Sequence, residues 1–289
     1  MPKNAQHKLN RLNTRKIISK IALSICLIAA LIAIVILLAI LGIIVFKGIG
    51  ALNLNVFISD TASPWDNGGL RNAIIGQVIL SLGAFLIGTP FGILGGTYLR
   101  EYAKNAKIKA FIRNVNDIMM SAPSIIIATF VYAIIVVPSG HFSGWAGIVA
   151  LSIIMFPIIL KTTDDMLSLV PDSLREASAA LGAPKYKTTI SIVYKSAKLG
   201  ILTGVLLAFS RIMGEAAPLL FTSLNNSFLS LNLNEPFPSL TITMFQYTTS
   251  PYPEWQELGF AAAFILAFTI LSINITSKII LNISKRGEK

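Results

Sequence analysis

The sequence predicts an all-α membrane protein with six transmembrane helices and both termini on the cytoplasmic side. Three observations carry this. Hydrophobic residues make up 54% of the 289-residue chain and charged ones only 13%, far outside the range of soluble domains. Apolar runs longer than about 18 residues recur, enough for a helix to cross a bilayer. Lysine and arginine collect in alternate loops, as cytoplasmic loops require.

Taken in order, residues 1–20 form a basic arm with Lys3, Lys8, Arg11, Arg15, Lys16 and Lys20, and Ile21–Phe46 is an uncharged first span. Its apolar core is about twice the 7–15 residues of a signal peptide and no clean small-residue cleavage site follows, so it reads as a helix that stays. Residues 47–70 lie outside, with Pro64, Asn67, Gly68 and Gly69 as turn chemistry and Trp65 as an interfacial anchor. This segment suits a surface helix or a hairpin.

The second span is Asn72–Leu99, where Gly83, Gly88, Gly92, Gly95 and Gly96 recur and Pro90 sits among them. Small residues let helices approach closely in lipid, so the stretch reads as a tight packing seam or a hinge. Ile118–Leu160 is too long for one crossing and makes two, broken at Pro138-Ser-Gly140. Leu199–Phe221 is a fifth span carrying Arg211 and Glu215, and Leu258–Ser277 is the sixth. The external loop 222–256 holds Pro236, Pro238, Pro251 and Pro253, which argue against a continuous helix, and Trp255 falls at an expected interface. Residues 71–281 thus form a five-helix core and 282–289 a cytoplasmic tail.

Orientation follows from charge. Arg100, Lys104, Lys107, Lys109 and Arg113 mark the second loop as cytoplasmic. Lys161, Arg175, Lys185, Lys187, Lys195 and Lys198 mark the fourth, and Lys278, Lys285, Arg286 and Lys289 the tail. Only Lys47 and Arg71 fall on the other side. The net charge of +11 is spread over short juxtamembrane segments, which suits anionic lipid and not a nucleic acid, whose binding needs one clustered basic face. Cys26 is the lone cysteine, so no intrachain disulfide forms, and His7 and His141 lie far apart with no ligand cluster around them. Asp164 and Asp165 read as solvated carboxylates, and Asp117 as a neighbour of Arg113 one turn away.

The fourth loop, 161–198, is the most informative segment. Ser173-Leu-Arg-Glu176 is a capping-box pattern at a helix start. Leu174, Ala177, Ala180 and Leu181 follow at helical spacing, Gly182 suits a left-handed stop, and Pro184 suits the first turn of a second helix. The reading is helix, sharp turn, helix. A stripe built mostly of alanine is too weak to bury in lipid; its small face (Ala177, Ala179, Ala180) fits a protein groove.

Glu176-Ala-Ser followed by Gly182 resembles the EAA loop of ABC-importer permeases. That resemblance implies a coupling helix that inserts into a cleft of a separate ATPase subunit, with Glu176, Ala177, Ser178 and Gly182 at the coupling site. It also implies the type I (MetI-like) importer bundle. Where the family continues with Ile-x-Leu-Pro, this chain has Ile192 but Tyr194 and Lys195. The segments Val170–Ala177, Ala180-Leu-Gly-Ala-Pro184, Gly200–Val205 and Arg211-Ile-Met-Gly-Glu-Ala-Ala-Pro-Leu-Leu220 are together similar to phosphate-importer permeases of the PstA type. Gly95–Tyr102 and Ala122-Pro-Ser-Ile125 are similar to the same family. The family's usual Thr after Glu215 is Ala216 here. The resemblance implies three kinds of partner besides the bilayer: a second permease of the PstC type, two ATPase subunits holding ATP and magnesium, and an extracytoplasmic phosphate-binding protein. No cofactor is implied for this chain.

Arg211 and Glu215 stand out without any resemblance. An ionised group near the centre of a membrane helix costs about 2.5–3.5 kcal/mol on insertion scales, so such residues face a bundle interior and mark function. Four residues apart, they share a helix face and can pair. They read either as a lock between helices or as a translocation-pathway pair, with the guanidinium facing an oxyanion. With Glu215 beside it, Arg211 gives little net attraction for an anion, so a further arginine is expected from the second permease. No Gly-x-x-x-x-Gly-Lys-Ser/Thr loop is present, so the motor is borrowed and the chain is not itself an enzyme. Competing readings are a permease for molybdate, sulfate or phosphonate, an intramembrane enzyme (no nucleophile–base set is visible) and a secondary transporter (no internal symmetry is visible).

Overall fold

A computed structural model describes residues 3–287 of the chain, with side-chain surroundings for residues 15–279. Lys3, His7, Lys8, Arg11, Lys285, Arg286 and Lys289 fall outside the described side chains. In chain order the helices are α1 (Lys3–Ala51), α2 (Leu54–Ile58), α3 (Arg71–Thr97), α4 (Ala106–Ser121), α5 (Ser124–Val131), α6 (Val137–Ser139), α7 (Gly144–Ser168), α8 (Asp172–Ala180), α9 (Lys185–Thr188), α10 (Tyr194–Met213), α11 (Ala217–Thr222), α12 (Leu240–Thr248) and α13 (Pro253–Gly287). Three π-helical turns join them, at Tyr98–Tyr102, Tyr132–Val136 and Thr189–Val193.

Among the described residues five helices are long and apolar enough to cross a membrane: Arg15–Ala51, Arg71–Tyr102, Gly144–Ser168, Lys185–Met213 and Pro253–Ile279. A bent pair, Ala106–Ser121 with Ser124–Ser139, turned by 101° at the break between them, makes a sixth when its two limbs are taken as one span. Every expected span therefore has a counterpart, but two are cut where hydropathy gives no warning.

The third span does not begin afresh at Ile118; that residue lies inside α4, and the cut comes at Ala122-Pro123. Pro123 has no N–H for the carbonyl of Met119, and the residue before a proline is driven to extended backbone, as Ala122 is at φ −67°, ψ 134°. The fifth span begins at Lys185 instead of Leu199 and stops at Met213 instead of Phe221. Its early start is possible because Lys185, Lys187 and Lys195 are exposed and their stems can lie along the helix while the ammonium groups reach water. Its early stop has its own cause: Pro218 cannot donate to the carbonyl of Gly214. The expected break at Pro138-Ser-Gly140 is present, with Gly140 left-handed at φ 75°.

The core is an α3–α7 pair onto which α10 packs, centred on Leu80, Leu151, Met155, Ile159 and Ile212, all essentially buried. The glycines of α3 make the seam. A Cβ at Gly83 would sit 2.7 Å from Ile148, one at Gly92 2.7 Å from Ile159, and one at Gly96 2.5 Å from the Leu160 carbonyl. Close packing therefore accounts for these residues. Helix α13 packs against α12 and α1, while the most apolar stretch of α1 has no part buried inside the chain, as a helix facing lipid would.

On the external side, residues 47–70 carry a short helix, α2, whose start is capped by the Asn53 side chain accepting from the Val56 amide at 3.0 Å. Trp65 is 80% exposed and meets Tyr252 edge-on. Trp255 is half-buried. It stacks on Tyr247 with ring centroids 4.7 Å apart and donates to the Ala62 carbonyl at 3.0 Å, so it braces the outer loops.

Candidate functional sites: a helix break in the membrane and an elbow beneath it

The first site forms where α10 stops. The amides of Gly214 and Glu215 turn back to the carbonyls of Arg211 (3.1 Å) and Ile212 (3.2 Å), tightening the last turn, and α11 resumes at Ala217. Arg211 thus occupies the last turn of a helix, where a cation is favoured by the carbonyl ends. Glu215 lies past the helix end, so the expected pairing along one continuous helix is corrected. The two side chains still meet, but loosely, with Nε to Oε1 at 3.6 Å, longer than a hydrogen bond.

Arg211 is 48% exposed while Glu215 is 18% exposed. Arg211 lines a small pocket together with Met119, Met120, Ala122 and Ser124 from the break between α4 and α5 and with Ile154 and Ile158 of α7. Two interrupted helices therefore meet at one arginine. Irregular backbone at membrane depth is tolerated where it is buried in protein or lines a water-filled cavity, and broken helices are a recurrent way of building ion sites there.

The backbone freed by the break is satisfied by residues that the sequence alone did not single out. Gln77 of α3, 1% exposed, donates to the Met213 carbonyl at 3.2 Å and to Ser81 Oγ at 3.3 Å. Its own carbonyl oxygen accepts from the amide (3.4 Å) and hydroxyl (3.3 Å) of Thr241 in α12. The Thr241 hydroxyl also lies 3.3 Å from the Glu215 carbonyl. The available signal was an amide inside an apolar run, which needs partners once buried.

The second site is the elbow. Helix α8 spans Asp172–Ala180 with Pro171 at its cap position and no side-chain cap hydrogen bond. The expected capping box is therefore absent, because the helix starts one residue ahead of Ser173. Gly182 is left-handed at φ 76° with nothing within 4 Å of an added Cβ, and Pro184 stands just before α9 instead of in its first turn.

The faces of α8 divide clearly. Glu176, Ala177, Ala179, Ala180 and Gly182 are exposed, and Leu181 is 88% exposed. Ser178 is 3% exposed and shares a 2.8 Å hydrogen bond with Thr188 Oγ1. Glu176, Ala177 and Gly182 are thus available to a partner, whereas Ser178 faces inward and closes the turn.

Above the elbow the charges are paired. Asp164, 7% exposed at its side chain, accepts from Arg113 Nε at 2.7 Å and Nη2 at 3.0 Å, so it is not the solvated carboxylate expected. Asp117 pairs with Lys161 at 2.6 Å instead of with Arg113. Among the described residues no group of three or more histidine, cysteine or carboxylate side chains is placed to hold a metal ion.

The family model for the inner membrane component of binding-protein-dependent transport systems matches residues 88–288, from the middle of α3 through the elbow and both broken helices. This chain belongs to that permease family. Among relatives, the phosphate transport system permease protein PstA of Pasteurella multocida is 46% identical over 265 residues, covering 92% of this chain and 95% of its own. PstA of Yersinia pestis is 45% identical over 267 residues, 92% and 90% of the two chains. A probable PstA of Methanocaldococcus jannaschii is 33% identical over 273 residues, 93% and 94%. The permease is thus of the PstA type, a non-catalytic, multi-pass membrane subunit of an ABC importer. Its fold is similar to that of the inward-facing MetNI methionine ABC transporter, with a TM-score of 0.56 at 20% identity over 74% of this chain and 93% of that one.

Proposed function

We propose that this permease forms half of the translocation pathway for inorganic phosphate in an ATP-driven importer, with Arg211 as the phosphate-facing group. The observation that carries it is the state of Arg211: half exposed where two broken helices meet, and held by Glu215 too loosely to occupy its planar fork. The relatives, phosphate transport system permeases, point to phosphate as the oxyanion. Glu215 orients the guanidinium and keeps the empty site near neutral, so a further arginine from a PstC-type second permease completes the attraction.

The remaining partners in this reading are two ATPase subunits beneath the elbow, which carry ATP and magnesium, and a phosphate-binding protein outside. Exposed Glu176, Ala177 and Gly182 present α8 to the ATPase, and closure of the ATPase pair draws the two elbows together. Ligand biases that motion only through unequal binding to the inward and outward states.

Reconstitution of the four-component assembly tests this. Arg211→Ala is expected to abolish phosphate uptake while assembly and ATP turnover persist. Retained uptake in that variant, or stimulation of turnover by sulfate or molybdate in place of phosphate, would overturn the assignment.

A further inference from the structure

Arg175, which neither the coupling role of Glu176 nor the pathway role of Arg211 uses, holds more of the elbow together than any other described side chain. Its Nη2 donates to Glu101 Oε1 at 2.7 Å and its Nε to the same oxygen at 3.2 Å. Nη2 also donates to the Leu167 carbonyl at 2.8 Å, and Nη1 to the Val170 carbonyl at 2.6 Å and to Asp172 at 3.0 Å. Leu167 is in the last turn of α7 and Val170 lies two residues past its end, where carbonyls lack helical partners. One guanidinium therefore joins the base of α3, the end of α7 and the coupling helix.

Burial makes the arrangement demanding. Arg175 is 17% exposed and Glu101 only 6% at their side chains, so removing either partner leaves a buried charge unpaired. The stretch 97–102 at the base of α3 grips the elbow elsewhere too. Lys185 stands over the Tyr102 ring at 5.2 Å, and Thr97 Oγ1 and Tyr194 Oη lie 2.7 Å apart. Glu101 and Tyr102 lie in the π-helical turn Tyr98–Tyr102, and a second such turn, Thr189–Val193, runs between Lys185 and Tyr194; this rare geometry collects at functional positions. A nine-residue helix such as α8 is too short to hold its shape unaided, so what it transmits depends on what clamps it.

We propose that Glu101 and Arg175 are the positioning pair that makes α8 and the base of α3 and α7 one rigid body, so that force on the elbow reaches the α3–α7 core directly. The proposal rests on the reading that α8 docks an ATPase. Its mechanical content concerns this chain alone.

The test uses the complete assembly in nanodiscs on a Cys26→Ser background. Spin labels at Ser173→Cys and Lys104→Cys report α8 against the base of α3, and labels at Ser173→Cys and Asn67→Cys report the elbow against the external face; Ser173 is exposed and lies outside the small face offered to the ATPase. The expected result is that ATP changes the second distance and leaves the first fixed. In Arg175→Lys and Glu101→Gln the first distance broadens, and phosphate uptake per ATP falls at least fivefold while ATP turnover stays within twofold. Lysine keeps the charge but lacks the fork, so a simple charge requirement would spare Arg175→Lys.

An ATP-driven change in the first distance of the unsubstituted pair would overturn the proposal, as would unchanged uptake per ATP in both variants. If the variants fail to assemble, the unsubstituted distances alone decide. If neither distance moves on ATP addition, the docking reading falls and this one with it. A fixed first distance in an assembly that carries no phosphate would sink the substrate alone.

Discussion

Ser178 Oγ and Thr188 Oγ1 sit 2.8 Å apart across the turn at Gly182, so the two limbs of the elbow are latched from the inside while the outer face stays free. Ser178→Ala removes the latch but leaves Thr188 a second, longer bond to the Pro184 carbonyl at 3.5 Å. The expected loss is about 1 kcal/mol of elbow stability, the usual net worth of one hydrogen bond. Faster amide exchange in residues 178–188, with α3 and α7 unchanged, is the measurement.

Gly182 separates backbone from contact effects. At φ 76° with open space around its missing Cβ, Gly182→Ala meets only the left-handed backbone cost of about 1–2 kcal/mol, and Gly182→Asn less. Thermal unfolding of the isolated permease should rank glycine, asparagine, alanine in that order. If ATPase assembly is lost for asparagine as fully as for alanine, the partner itself touches this position.

On the α3 seam, Gly96→Ala and Gly88→Ala should differ. The new methyl at Gly96 would meet the Leu160 carbonyl at 2.5 Å, a backbone atom that cannot swing away, whereas at Gly88 the nearest atoms lie at 3.3 Å or more. Overpacking of this kind costs about 1–3 kcal/mol. The yield of folded, detergent-stable protein should fall for Gly96→Ala and hold for Gly88→Ala.

Gln77→Leu leaves the Met213 carbonyl and both Thr241 donors without their amide partner. Orphaned buried groups cost about 1–3 kcal/mol. Lowered thermal stability together with lowered phosphate uptake is expected, and Gln77→Glu should not restore uptake, since a carboxylate cannot donate to the Met213 carbonyl.

On the external face, the hydrogen bond from Arg71 holds the Asp60 carboxyl below the ordinary carboxylate range, and the Leu229 amide adds to this. Because the folded value is lowered, the tether is present above the ordinary carboxylate range and is lost as pH falls through the lowered value, below about pH 4. The effect is small because solvent screens the pair. Amide exchange at Leu229 should be pH-insensitive in its protection from pH 5 to 8 and lose protection in more acid solution. Asp60→Asn should remove that dependence.

Much of this was legible in the sequence, for reasons that differ by element. Span number followed from hydropathy because lipid leaves few alternatives, and the intramembrane Arg211 and Glu215 declared themselves by cost. The cuts at Pro123 and Gly214 were missed because the apolar runs continue through them; only the missing proline N–H marks the place. The pairing of Asp164 with Arg113 and of Glu101 with Arg175 was missed because the partners lie 51 and 74 residues apart, and charge counts in loops say nothing about which cation meets which carboxylate. The Ser173 cap failed for a local reason: a helix beginning one residue earlier leaves that hydroxyl no orphan amide to serve.

The exposed guanidinium at the meeting of the two broken helices has a consequence for the life of the subunit before it is built into anything. A newly inserted copy leaves this guanidinium half exposed on the side that the proposed second permease would cover. Orphaned copies should therefore be short-lived in the cell, and their steady-state amount should track synthesis of the complementary subunit more than their own.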